Sequence, residues 1–94
     1  MQKEPREWQY IKTEDIQPNP IALRSYSVKS QQKRINKIAK FLQEGGQPPP
    51  IIVDKDLVIR DGYTRYLAAK KIGLKEIKAI IMSDEEWSAY IGLK

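Results

Sequence analysis

Six residues near the middle of the chain, Gly45-Gly46-Gln47-Pro48-Pro49-Pro50, constrain its fold more than any other stretch. Glycine can adopt the positive φ that ends a helix, and three successive prolines forbid the helix from resuming. The residues before this break have a helical pattern. Ile35, Ile38, Ala39 and Leu42 fall at i, i+3, i+4 and i+7, which predicts a helix over about Val28–Glu44. Lys29, Lys33, Lys37 and Lys40 fall on the opposite face. The residues after the break are short β-branched runs, Ile51–Asp54 and Leu57–Arg60 around Lys55-Asp56, and they read as a hairpin.

Trp8–Lys12 reads as a further strand, with Trp8 and Tyr10 in or beside the core. Residues 13–20, with Pro18 and Pro20 around Asn19, predict an ordered loop that runs through Arg24 to about Ser27. A second helix is expected from about Gly62 to Ile72, closed by Gly73, and a last strand from Ile77 to Met82. Ser83-Asp84-Glu85-Glu86 has the form of a capping box, so 83–94 should begin a third helix. Its Trp87, Tyr90 and Ile91 share a face, which suits contact with a partner, a further domain or a second copy in a homodimer. Residues 1–7 are polar and expected to be loose. The fold class is then α/β (α+β): a small mixed β-sheet with two main helices packed on it. At 94 residues, positions 1–94 suit a single domain.

Composition removes several chemistries. The sequence has no cysteine and no histidine. Disulfides, thiolate catalysis, Cys-based zinc sites and the usual neutral-pH general base are therefore absent. Any metal would be a hard cation such as Mg²⁺ held by carboxylates. Seventeen basic residues against twelve acidic ones give +5, which favours a polyanionic partner, nucleic acid or a phosphorylated ligand, although solubility alone also explains such a charge. With no signal-like apolar run and no stretch of membrane-spanning length, a cytoplasmic location is expected and no membrane partner.

The chemistry concentrates at the junction Leu57–Gly73. A strand ends at Arg60 and a helix starts almost at once, and a helix N-terminus suits phosphate. Gly62 allows a ligand to approach the backbone. Arg65, Ala68, Ala69 and Ile72 share a helical face that should meet the sheet, so Arg65 starts a buried stripe and needs a partner. That partner is either a phosphate held bidentately or an internal carboxylate, Asp61 or Asp54. Asp61 itself suits a helix N-cap, or a ligand, metal or proton-transfer role. Tyr63 and Thr64 could bond a ligand from the first turn or simply face solvent. The lysine face of the first helix, Lys29–Lys40, could track a nucleic-acid backbone or merely be solvated.

Asp61-Gly62-Tyr63-Thr64-Arg65 followed by Tyr66-Leu67-Ala68-Ala69 resembles the glycine-x-x-arginine phosphate motif of the ParB/sulfiredoxin superfamily. Ile16-Gln17-Pro18-Asn19-Pro20 with Arg24 resembles the family's opening loop. Gly46-Gln47-Pro48 with Ile51-Ile52-Val53, and Ile77–Ile81 with Ser83–Glu86, resemble its later blocks, so about residues 10–88 are covered. The resemblance implies a nucleotide ligand (CTP or ATP) on Gly62, Tyr63, Thr64 and Arg65, with Arg24 and the Pro18–Pro20 loop closing over it. Sulfiredoxins place their reactive cysteine where this chain has Tyr63, so that repair activity is excluded. ParB proteins have glutamate and arginine where Tyr63 and Thr64 stand. An Asp-Gly-x-x-Arg variant occurs in a free-serine kinase of the superfamily, whose aspartate is implicated in catalysis.

The leading expectation is a nucleotide-binding module of the ParB type in plasmid, phage or chromosome DNA transactions. One alternative is a Mg²⁺-dependent enzyme, a small-molecule kinase or a "ParB-like nuclease", with Asp61 catalytic. Another is a DNA-binding or protein-interaction module that has lost the ligand. ParB proteins read DNA with a helix-turn-helix domain after this one. The chain stops before such a domain, and is expected to be part of a longer protein or a stand-alone relative.

Overall fold

The computed structural model describes residues 7–25 and 27–92. In chain order they form strand β1 (Gln9–Lys12), a 3-10 turn (Thr13–Asp15), helix α1 (Pro20–Ser25) and helix α2 (Gln32–Gln43). Strands β2 (Ile51–Val53) and β3 (Ile59–Asp61), helix α3 (Tyr63–Lys71), strand β4 (Glu76–Ile81) and helix α4 (Asp84–Gly92) follow. The polar segment 1–7, expected to be loose, lies outside the described residues except for Glu7.

The four strands form one mixed sheet in the order β1-β4-β2-β3. β2 and β3 make the expected antiparallel hairpin, β2 and β4 run parallel, and β1 closes the other edge antiparallel to β4. Ile11, Ile51, Val53, Ile59, Ile77 and Ala79 are buried together with Ile16, Tyr66 and Ala69 in one apolar cluster. In β1, Ile11 takes the core-facing register, so Trp8 and Tyr10 fall on the alternate face and are exposed. The expectation that these two rings join the core is corrected accordingly.

α3 is sandwiched. Ala68 and Ala69 have no exposed surface, and their small side chains let neighbours approach from two sides. Ala69 and Tyr66 meet the sheet cluster, whereas Ala68 packs with Ile35 and Ala39 of α2, against which Ile72 also lies. The expected sheet-facing stripe is thus split, because α2 covers one flank of α3. Leu42 extends from α2 to the sheet cluster, so both main helices reach the core.

Helix ends follow from sequence chemistry. Gly45, at φ +89°, closes α2: its N–H donates to Leu42 O at 3.0 Å and Gly46 N–H to Phe41 O at 2.8 Å. The same pair of bonds closes α3, from Gly73 to Lys70 O (3.1 Å) and Leu74 to Ala69 O (3.0 Å). The capping box of α4 is reciprocal, with Ser83 N–H on Glu86 Oε1 at 2.9 Å and Glu86 N–H on Ser83 Oγ at 3.1 Å.

Three segments differ most from expectation. β3 runs over Ile59–Asp61 and not Leu57–Arg60, because Leu57 sits in the hairpin turn at φ +67°. α2 starts at Gln32, later than Val28, because residues 28–31 form a turn in which Ser27 Oγ accepts the Ser30 N–H at 3.1 Å. Exposed Val28 has no core contact to hold a regular first turn. The loop expected through Ser27 contains α1, whose start is fixed by Asn19 Oδ1 accepting the Ile21 N–H at 3.0 Å, with Pro20 in the first helical position. No helix among the described residues is long and apolar enough to cross a membrane.

Candidate functional site

β3 leads into α3 through a single residue. Gly62 is the N-cap of α3 at φ +101°, and having no side chain it makes no side-chain cap bond. The first bond of the helix is Tyr66 N–H to Gly62 O at 3.0 Å, so the positive end of its dipole lies at residues 63–65. A Cβ on Gly62 would stand 2.7 Å from Ile51 Cγ2 and 2.9 Å from Arg65 Nη2. Only glycine fits both the torsion and the space. Asp61 is therefore not the cap that its position before the helix suggested. It ends β3, paired with Ile52 across the hairpin, and its side chain is half-buried beside Gly62.

The same contact brings the Arg65 guanidinium back over the start of its own helix. Arg65 Nη2 donates to Pro50 O at 3.3 Å, a weak bond, and its buried Nε has no hydrogen-bond partner among the described residues. Of the carboxylates expected as internal partners, Asp54 is engaged elsewhere. Asp54 Oδ1 accepts the backbone N–H groups of Asp56 (2.8 Å) and Val58 (2.9 Å) inside the hairpin turn. Among the described residues no ion pair joins Arg65 to Asp54 or Asp61. A half-buried, permanently charged fork thus keeps unused donor capacity.

Arg65 also lines a cleft of about 230 Å³ walled by Leu42, the Gly45–Pro49 turn, Tyr10, Leu74 and the start of β4 from Glu76 to Lys78. The sequence marked Gly45–Pro50 as a helix stop and as part of a block resembling the family, but not as part of the site. Its site position follows from the parallel β2–β4 pair, which sets the segment before β2 beside the first residues of β4.

Tyr63 and Thr64 are half-buried in the first turn of α3, and the Tyr63 ring stacks on Tyr66 with centroids 6.0 Å apart. Gln17 pairs with Val58 in a parallel bridge, so Pro18, Asn19 and Pro20 run toward the end of β3 at which Gly62 lies. Arg24 is exposed on α1. Lys33, Lys37 and Lys40 are exposed along α2, with Lys29 in the turn before it. Trp87 and Tyr90 of α4 stack at 5.6 Å and are half-buried, with the Arg60 guanidinium 5.7 Å from the Trp87 ring centroid.

The model of the ParB N-terminal domain family matches residues 1–94. The chain belongs to that family. Among solved structures, a pNOB8-like ParB N-domain is 27% identical, with a TM-score of 0.63 over 82% of this chain and 29% of the other. The C-terminally truncated chromosome-partitioning protein ParB of Caulobacter crescentus, solved with CTP-γ-S, is 22% identical with a TM-score of 0.71, covering 85% of this chain and 47% of the other. Sulfiredoxin of Arabidopsis thaliana shares the fold at 21% identity and a TM-score of 0.67, over 90% of this chain and 97% of its own. A 46-residue stretch is 39% identical to the uncharacterized protein ORF326b of Acidianus two-tailed virus, which is 49% of this chain and 14% of that protein. The chain thus spans less than half the length of the ParB chains that it matches. The similarity of fold to the superfamily agrees with the resemblance in the sequence.

Proposed function

We propose that this ParB N-terminal domain binds the phosphates of a nucleoside triphosphate, CTP or ATP, where Arg65 meets Gly62, and serves as a nucleotide-responsive module in DNA transactions of a plasmid, phage or chromosome. The observation that carries this reading is the Arg65 guanidinium: it lies against Gly62, its buried Nε is unpartnered among the described residues, and Arg65 lines a cleft that Gly62, Tyr63 and Thr64 do not line. A buried cationic donor is costly until an acceptor meets it, and a phosphate supplies several acceptors at once. The CTP-γ-S complex of the Caulobacter relative supports the choice of ligand. Tyr63, Thr64 and Arg24 would complete the site, with Pro18–Pro20 closing over it.

Calorimetric titration with CTP, ATP and GTP, with and without Mg²⁺, tests the reading. Wild type should bind at least one of them. Arg65→Ala, checked for folding by circular dichroism, should weaken binding by about tenfold to a hundredfold, the worth of a charge-assisted bidentate contact. Absence of binding by wild type, or a folded Arg65→Ala that binds equally well, would leave a DNA-binding or protein-interaction module on this fold.

A second reading rests on Asp61. Its half-buried carboxylate is not consumed by helix capping and stands next to Gly62. No group of three or more acidic residues is placed to hold a metal ion among the described residues, so a Mg²⁺ ion here would arrive with the phosphates and take Asp61 as a single protein ligand. Kinase or nuclease turnover lost in Asp61→Asn, with nucleotide binding retained, would select that reading.

A further inference from the structure

Trp8 and Tyr10 are 46% and 53% exposed, the two aromatic rings among the exposed large side chains that lie on the sheet or directly before its first strand. They pack edge to face, with centroids 5.4 Å apart and planes at 83°. Lys78, the cross-strand partner of Tyr10, holds its Nζ 4.5 Å from the centroid of the Trp8 ring. The pair stands on the face of the β1–β4 ribbon turned away from the core, since Ile11, Ile77 and Ala79 take the buried face. Tyr10 also forms one wall of an open groove of about 880 Å³ where β1 ends, β4 begins and α3 closes. Lys12, Lys70 and Lys75 line that groove, with Glu14 and Glu76 as its acidic members. The aromatic ledge thus adjoins, through Tyr10, a groove with three lysines and two glutamates.

We propose that this ledge and groove bind single-stranded nucleic acid, as a site separate from the Arg65 pocket in ligand and in its principal residues. Exposed rings offer π-faces to unpaired bases, whereas a duplex keeps its bases stacked on one another. The lysines lie where a backbone leaving the rings would pass, and the chain as a whole carries +5. Aromatic rings alone also suit a protein partner, but lysines are depleted from protein–protein interfaces, so the lysines beside these rings favour nucleic acid. Trp8 is the ring to test, because Tyr10 also borders the Arg65 cleft.

The experiment is fluorescence anisotropy of labelled oligothymidylate and oligouridylate of about 15 nucleotides, with the complementary duplex as competitor. Wild type should bind the single strand better than the duplex, with affinity falling with salt at a log–log slope of about −0.7 per phosphate contacted. Trp8→Ala should weaken single-strand binding about tenfold, Trp8→Phe should restore most of it, and Lys70→Glu with Lys75→Glu should flatten the salt slope. The relative strength of the thymidylate and uridylate arms tells DNA from RNA. Equal binding of duplex and single strand, or a folded Trp8→Ala that binds as wild type does, would overturn the proposal. So would absence of single-strand binding together with self-association, seen by sedimentation, that Trp8→Ala abolishes; the ledge would then be a contact between copies.

Discussion

A guanidinium does not shed its proton at any pH at which a domain like this stays folded, so Arg65 cannot escape the cost of its position by becoming neutral. Its accommodation rests on Gly62, whose missing Cβ leaves room for Nη2. Gly62→Ala should therefore injure the fold before it injures any ligand. It forces φ +101° on a residue with a Cβ and drives that atom into Ile51. A loss of about 1–3 kcal/mol is expected, read as a lower urea midpoint with an unchanged slope. Arg65→Ala lacks this defect and is the cleaner probe of binding. The juxtaposition of Arg65 with the start of α3 was legible from the strand-to-helix junction. The role of Asp61 was not, because a residue directly before a predicted helix reads as its cap, and the left-handed turn at Gly62 moves the cap one position on.

Elements were legible where local chemistry fixes them. Gly45 and Gly73 close their helices, Ser83 and Glu86 open one, and the β-branched runs pair as a hairpin, each through bonds among near neighbours in sequence. Less legible was whatever depends on what lies opposite. The face to which Trp8 and Tyr10 turn depends on Ile11 winning the core, and the split of the α3 stripe depends on where α2 packs. α1 was signalled by Asn19-Pro20, a cap followed by a residue suited to the first helical turn, but two prolines in three residues read more readily as loop. The hairpin itself hinges on Asp54, whose Oδ1 takes two backbone N–H groups and holds a turn containing Leu57 at φ +67°, an uncommon torsion for leucine. Asp54→Ala should cost about 1–3 kcal/mol, measured by chemical denaturation, while Asp54→Asn should retain most of the stability because its carbonyl oxygen can still accept.

At the scale of the whole molecule, α4 is joined to the body through Arg60, which pairs with Asp84 and lies over Trp87. A partly exposed ion pair and a cation–π contact together are worth about 1–2 kcal/mol. Arg60→Ala should accordingly raise amide exchange across residues 84–92 by about tenfold and leave the central strands protected, as hydrogen exchange read by mass spectrometry would reveal. If exchange in α4 stays unchanged, other contacts hold the helix. The order of the sheet has a consequence for how the chain comes into being. β1 is made first, yet its neighbour β4 stands almost at the other end of the sequence, with Tyr10 opposite Lys78. On the ribosome, the β2–β3 hairpin, α2 and α3 can assemble while the first strand still lacks β4, its ladder partner in the sheet. Closure of the edge is then a late, long-range event, and the aromatic ledge exists as a surface only after β4 has emerged.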